Sequence, residues 1–127
     1  MAWKFSSDKP VYLQISDRIV KKVLSGEYSA GEQIPTVRQI ALEAAVNPNT
    51  VQHAFSELEN EGLIVSKGTL GRFVTDDTEI VATCRHRMAE QLVREFAKNM
   101  EQLSITKEQA VTMIEEVMKW TFLNVNI

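Results

Sequence analysis

The sequence predicts a mainly α-helical fold with one small β-hairpin: three helices and the hairpin over residues 1–78, then a two-helix tail over residues 79–127. Three observations lead there. Apolar side chains recur at helical spacing in five separate stretches, each bounded by a capping or breaking residue. Two short β-prone runs, Leu63–Ser66 and Arg72–Thr75, flank a glycine-containing link in the middle of the chain. Between hairpin and tail lies Asp76-Asp77-Thr78-Glu79, a polar stretch without an apolar residue, which marks the boundary.

Pro10 opens the first helix, Val11, Ile15, Ile19, Val20 and Val23 form its stripe, and Gly26 stands where a C-terminal cap is expected. Residues 28–35 read as a turn-rich link. Thr36 is an N-cap for a short second helix, Val37–Glu43. Asn47 followed by Pro48 starts the third, because asparagine caps and proline is preorganised at the first helical position. Its stripe is Val51, Ala54, Phe55 and Leu58, and Gly62 stops it. The link Lys67-Gly68-Thr69-Leu70-Gly71 then predicts a tight hairpin turn. A fourth helix carries Cys84, Met88, Leu92, Phe96 and Met100 at every fourth position. Thr106-Lys107-Glu108-Gln109 has the form of a capping box, with Ile105 and Ala110 as the hydrophobic staple, and the fifth helix carries Val111, Ile114, Val117 and Met118. Three helices closed by a hairpin is the order of a winged helix-turn-helix domain.

Composition narrows the functional classes. The chain has 127 residues, 44% of them hydrophobic, enough for one globular domain with a small appendage. A single cysteine, Cys84, leaves no internal disulfide and no paired-thiol metal or redox site, so a reducing, cytoplasmic setting is expected. The first residues lack a basic start followed by an apolar run, and no stretch approaches membrane-spanning length, so no membrane partner is expected. Net charge is −3, and residues 1–79 hold 8 basic against 11 acidic side chains. A nucleic-acid binder usually carries a basic footprint, so contacts here must depend on where the charges sit.

Several blocks in order resemble the GntR family of bacterial regulators: Pro10-Val11-Tyr12-Leu13-Gln14-Ile15, Gly26 to Gly31, Ile34-Pro35-Thr36-Val37-Arg38-Gln39-Ile40-Ala41, Val46 to Val51, Leu58 to Ile64, and Gly71-Arg72-Phe73-Val74. The short two-helix tail is similar to that of the YtrA subfamily. The resemblance implies a sequence-specific transcription regulator, a repressor, that binds double-stranded DNA as a homodimer held by its tail. Three departures stand out. Thr36 replaces a frequent serine and keeps the capping hydroxyl. Pro48 and Gln52 occupy positions where many relatives carry arginine. The wing glycines appear as Gly68-Thr69-Leu70-Gly71.

In a helix-turn-helix the second helix of the pair enters the major groove with its N-terminal residues toward base edges. That nominates Asn47, Asn49, Thr50, Gln52 and His53, against the plainer reading of a solvated helix face. Arg38 on the second helix can meet a phosphate or, alternatively, pair with Glu43 or Glu32. Lys67 and Arg72 can reach the backbone or minor groove, or serve as ordinary edge-strand charges. Met88, Leu92, Phe96, Met100, Ile114, Val117 and Met118 are the expected dimerisation residues. A tail of this size cannot bury both its apolar stripes against itself, and a second copy can cover them. Cys84 and His86, two apart on a helix, diverge and make no metal pair. No phosphate loop or nucleophile triad is present, so no enzyme activity, metal or cofactor is expected. Two rival readings are an effector-gated sensor with an unidentified small molecule at the tail interface, and a winged-helix protein-interaction module favoured by the acidic charge.

Overall fold

A computed structural model describes residues 2–125. It contains α1 (Val11–Leu24), α2 (Val37–Ala44), α3 (Pro48–Asn60), β1 (Ile64–Ser66), β2 (Arg72–Val74), α4 (Thr78–Gln102) and α5 (Lys107–Val125). Contacts divide the chain into two compact units, Met1–His86 and Arg87–Ile127. The boundary expected after residue 78 falls at the start of α4, and the first unit continues into that helix.

In the first unit Ile15, Ile19 and Val20 of α1 are buried with Ile40 of α2 and Val51, Ala54, Phe55 and Leu58 of α3. These are the apolar stripes that the helical periodicity defines, turned inward on one another. Ser16, also buried, donates from Oγ to the Ala54 carbonyl at 3.3 Å, which fixes the register of α1 against α3. The N-terminal segment adds a feature that periodicity does not reveal. Trp3 is buried, and the Arg18 guanidinium lies 4.1 Å from its ring centroid.

The hairpin is antiparallel, pairing Ile64 with Val74, Val65 with Phe73 and Ser66 with Arg72. Residues 28–35 form the expected link, which is also bonded to the wing: the Ile34 N–H donates to the Arg72 carbonyl and the Val74 N–H to the Glu32 carbonyl, both at 2.9 Å, with Gln33 in an isolated bridge to Phe73. The wing closes through the expected glycine-containing link Lys67–Gly71, with Gly68 and Gly71 both at positive φ. Gly68–Leu70 forms one turn of 3-10 helix, because five residues separate the paired ends.

The second unit is a helix hairpin. Ser104, with φ of 58°, sits in the left-handed region after α4, and the Ile105 N–H donates back to the Met100 carbonyl at 3.0 Å, a bonded C-terminal stop. Thr106 then caps α5 in the expected box. Its Oγ1 accepts from the Gln109 N–H at 3.1 Å, and the Gln109 side chain accepts from the Thr106 N–H at 2.9 Å.

Candidate nucleic-acid interface

The α2–α3 pair owes its geometry to three local choices. Thr36 caps α2 in a full capping box with Gln39, with distances of 3.1 and 2.8 Å. Ala45 closes α2 in the left-handed region at φ 59° and ψ 50°, turning the chain sharply without glycine, at a cost of about 1 kcal/mol. Asn47 opens α3, its Oδ1 accepting from the Asn49 N–H at 2.8 Å, with Pro48 at the first helical position. The turn between the helices is thus three residues, Ala45 to Asn47. Across that turn α3 packs on the core through Val51, Ala54, Phe55 and Leu58, while Asn49, Gln52 and His53 on its other side are exposed.

The nominated residues lie in three settings. Arg38, Asn49 and Gln52 are exposed, and their side chains make no hydrogen bond or ion pair among the described residues. Arg38 therefore does not adopt the alternative pairing with Glu43 or Glu32. Asn47 spends Oδ1 on the cap, so its amide nitrogen is what remains to meet a ligand, and Thr50 is half-buried at the edge of the same surface. His53 is exposed but held, its ring stacked on Tyr12 of α1 with centroids 3.6 Å apart and planes 10° from parallel.

On the wing, the Lys67 ammonium sits 4.6 Å from the Phe73 ring centroid, at an exposed position. Arg72 is placed differently from the rest. Its Nε donates to the Glu59 carboxylate of α3, and its guanidinium lies 5.1 Å from the Phe55 ring centroid, so it ties β2 to α3.

Local charge reconciles this surface with the acidic total. Neither α2 nor α3 has an acidic residue in its first turn, where backbone N–H groups and the helix dipole favour phosphate. The acids of α3, Glu57 and Glu59, fall in its C-terminal half with Glu61 following as its C-cap, and Arg72 pairs with Glu59.

In the helical tail, Met88, Phe96 and Met100 of α4 are half-buried, whereas Leu92 is 60% exposed. On α5, Ile114, Val117 and Met118 are all exposed, Val117 at 61%. Phe96, Met100, Met113, Ile114, Val117 and Met118 line an open apolar hollow of about 260 Å³. A neighbouring cavity of about 340 Å³ lies between α4 and α5, lined by Val93, Phe96, Met100, Val111 and Ile114 together with Glu101 and Lys107. So many large apolar side chains on one helix pair exceed what a monomer normally leaves to water.

Comparison with known proteins decides what kind of chain this is: the family described as bacterial regulatory proteins, gntR family, matches residues 11–74, the span of α1 through β2. The chain belongs to the GntR family. It is accordingly a DNA-binding transcriptional regulator built on a winged helix-turn-helix. The uncharacterized HTH-type transcriptional regulator YhcF of Bacillus subtilis is 35% identical to this GntR chain over 118 residues, covering 93% of it and 95% of YhcF. The HTH-type transcriptional repressor YtrA of the same organism is 28% identical, with coverage of 90% and 83%. Among solved structures, a GntR family transcriptional regulator from Listeria monocytogenes superposes with a TM-score of 0.81 at 32% identity, over 88% of this chain and 98% of that one. AraR(DBD) in complex with operator ORX1 matches with a TM-score of 0.53 at 25% identity, over 59% and 92%.

Two residues that shape this GntR surface escape sequence reasoning. Gln33 donates from Nε2 to the Leu70 carbonyl at 2.6 Å, and a Cβ on Gly71 would come within 2.7 Å of the same nitrogen, so Gln33 braces the wing tip. Its only sequence signal is a polar residue amid turn formers. Tyr12 lies in a block matching the family, but its partner His53 is far along the chain, and spacing cannot announce such a stack.

Proposed function

We propose that this GntR regulator works as a homodimer in the cytoplasm, binding an inverted-repeat operator and repressing the adjoining genes. Residues 1–78 form the DNA-binding domain and residues 79–127 the dimerisation tail. The observation that carries the reading is the acid-free first turn of α3 with Asn49, Gln52 and His53 exposed beside it. Asn49 and Gln52 are assigned to base edges, where their amides match adenine, and Asn47 and Thr50 to the flanking contacts. Arg38 is assigned to phosphate. Lys67 is assigned to the backbone beside the wing, with Arg72 fixing the wing's position from within.

The tail supplies the second copy's site through Met88, Leu92, Phe96, Met100, Ile114, Val117 and Met118. The likeness to YtrA, a protein named as a repressor, supports the sign of regulation. The cytoplasmic setting is in keeping with a lone, buried Cys84 and with the lack of any helix, among the described residues, that is long and apolar enough to cross a membrane.

The test is a pair of carboxylates on the exposed tail face. Leu92→Glu with Val117→Glu should convert a species of twice the chain mass into a monomer by sedimentation. It should also weaken operator binding by roughly a hundredfold or more, since tethering two recognition helices multiplies affinity by about that factor. A wild-type chain that sediments as a monomer contradicts the assignment. The cavity of about 340 Å³ between α4 and α5, lined by apolar side chains with one carboxylate, Glu101, and one ammonium, Lys107, favours a second, compatible reading, in which a mainly apolar small molecule gates DNA release. Such a compound must raise the melting temperature of the free protein, and a screen of small apolar compounds that produces no rise removes it.

A further inference from the structure

We infer that Tyr12, which lies outside the helix-turn-helix pair, is a positioning residue that aims the His53 imidazole at a purine N7 in the major groove. The inference rests on the assignment of α3 as the DNA-reading helix. His53 is exposed on that helix, directly after Gln52. A lone exposed imidazole turns about its side-chain bonds, and its two nitrogens, which hydrogen-bond only in the ring plane, sweep through many directions. Here the plane is set: the Tyr12 ring lies 3.6 Å away and 10° from parallel. What remains is an exchange of ring edges within that plane, so a ring nitrogen is presented in a defined direction before DNA arrives.

The support beneath the stack is itself held at two points. Tyr12 and Ser16 are four residues apart on α1, hence on one face, and His53 adjoins Ala54 on α3. The Ser16 hydroxyl donates to the Ala54 carbonyl at 3.3 Å and so sets the register that places Tyr12 against His53. The first turn of α1 is anchored in addition by Gln14, whose Nε2 donates to the Ser6 and Lys9 carbonyls at 2.9 and 2.8 Å. A ring already immobilised loses little freedom on binding, and that loss is a standard cost of recognition. His53 thus contributes base preference that a free imidazole would largely forfeit.

The experiment is selection from duplexes with randomised half-sites, using the full chain and four variants, with melting curves recorded for each. His53→Ala should flatten the preference for a purine at one half-site position by about tenfold, within the usual cost of a mismatched pair, and leave the other positions unchanged. Tyr12→Leu should flatten the same position to a similar extent, Tyr12→Phe should leave it intact, and the double variant should lose no more there than either single one. The inference is overturned by Tyr12→Leu weakening every sequence equally, or by Tyr12→Phe behaving as Tyr12→Leu, since the hydroxyl and not the ring would then matter. A selection by His53→Ala with unaltered preference overturns it even if Tyr12→Leu is unstable. If the wild-type chain selects no sequence at all, it is the underlying DNA-reading assignment that fails.

Discussion

At the scale of single residues, the surface separates side chains that are committed from those held in reserve. Arg72 and Arg38 are both arginines of the same domain, yet one is paired with Glu59 and the other has no partner among the described residues. A guanidinium kept unpaired beside a helix N-terminus is suited to a phosphate, which fixes register without reading sequence. Arg38→Ala should therefore weaken binding to all duplexes alike and reduce the slope of log affinity against log salt by about one unit. An unchanged slope with altered base preference, in a salt titration of DNA binding, reverses the assignment to a base contact. The distinction between the two arginines was not legible in the sequence. Glu59 precedes Arg72 by a helix end and a whole strand, and only the folded hairpin brings them together. Asn49 and Gln52 were legible, because both fall off the buried stripe of Val51, Ala54, Phe55 and Leu58.

At the scale of elements, most of the fold follows from chain-local chemistry, and what does not is non-local pairing. Thr36, Asn47 and Thr106 each cap the helix that their residue type announces, with the side-chain bonds in place. The bonding of Glu32–Ile34 to the wing was hidden because the flanking Gly31 and Pro35 signal turns, while the partner Val74 is remote. The wing tip is legible as a glycine-containing link, but its single 3-10 turn is not, since it depends on the register of Ser66 with Arg72, which leaves five residues to accommodate. Capping of α2 matters beyond stability, since α2 braces α3 in the pair. Thr36→Ala removes the acceptor for the Gln39 N–H and should cost about 1 kcal/mol, seen as a lower urea midpoint with an unchanged slope. Thr36→Ser should restore most of it, and a midpoint unmoved by the alanine would show that the box carries no weight.

At the scale of the whole molecule, an acidic chain that binds DNA is understandable if charge is arranged locally and affinity is multiplied by two copies. The N-terminal halves of α2 and α3 carry no carboxylate in their first turns, and the tail exposes apolar side chains that a second tail can cover. In the sequence the tail was legible as two amphipathic helices. Which partner covers them was not, because an apolar stripe has the same spacing whatever lies against it. Two recognition helices related by a two-fold axis require half-sites in inverted orientation, about one helical turn or 34–36 Å apart, or a multiple of it. The measurement that bears on this most directly is a footprint of the purified chain on the DNA next to its own gene. The account predicts two protected, inverted half-sites at that spacing, rich in A·T where Asn49 and Gln52 meet the bases. Protection of a single unrepeated site, or none at any salt concentration, would contradict it.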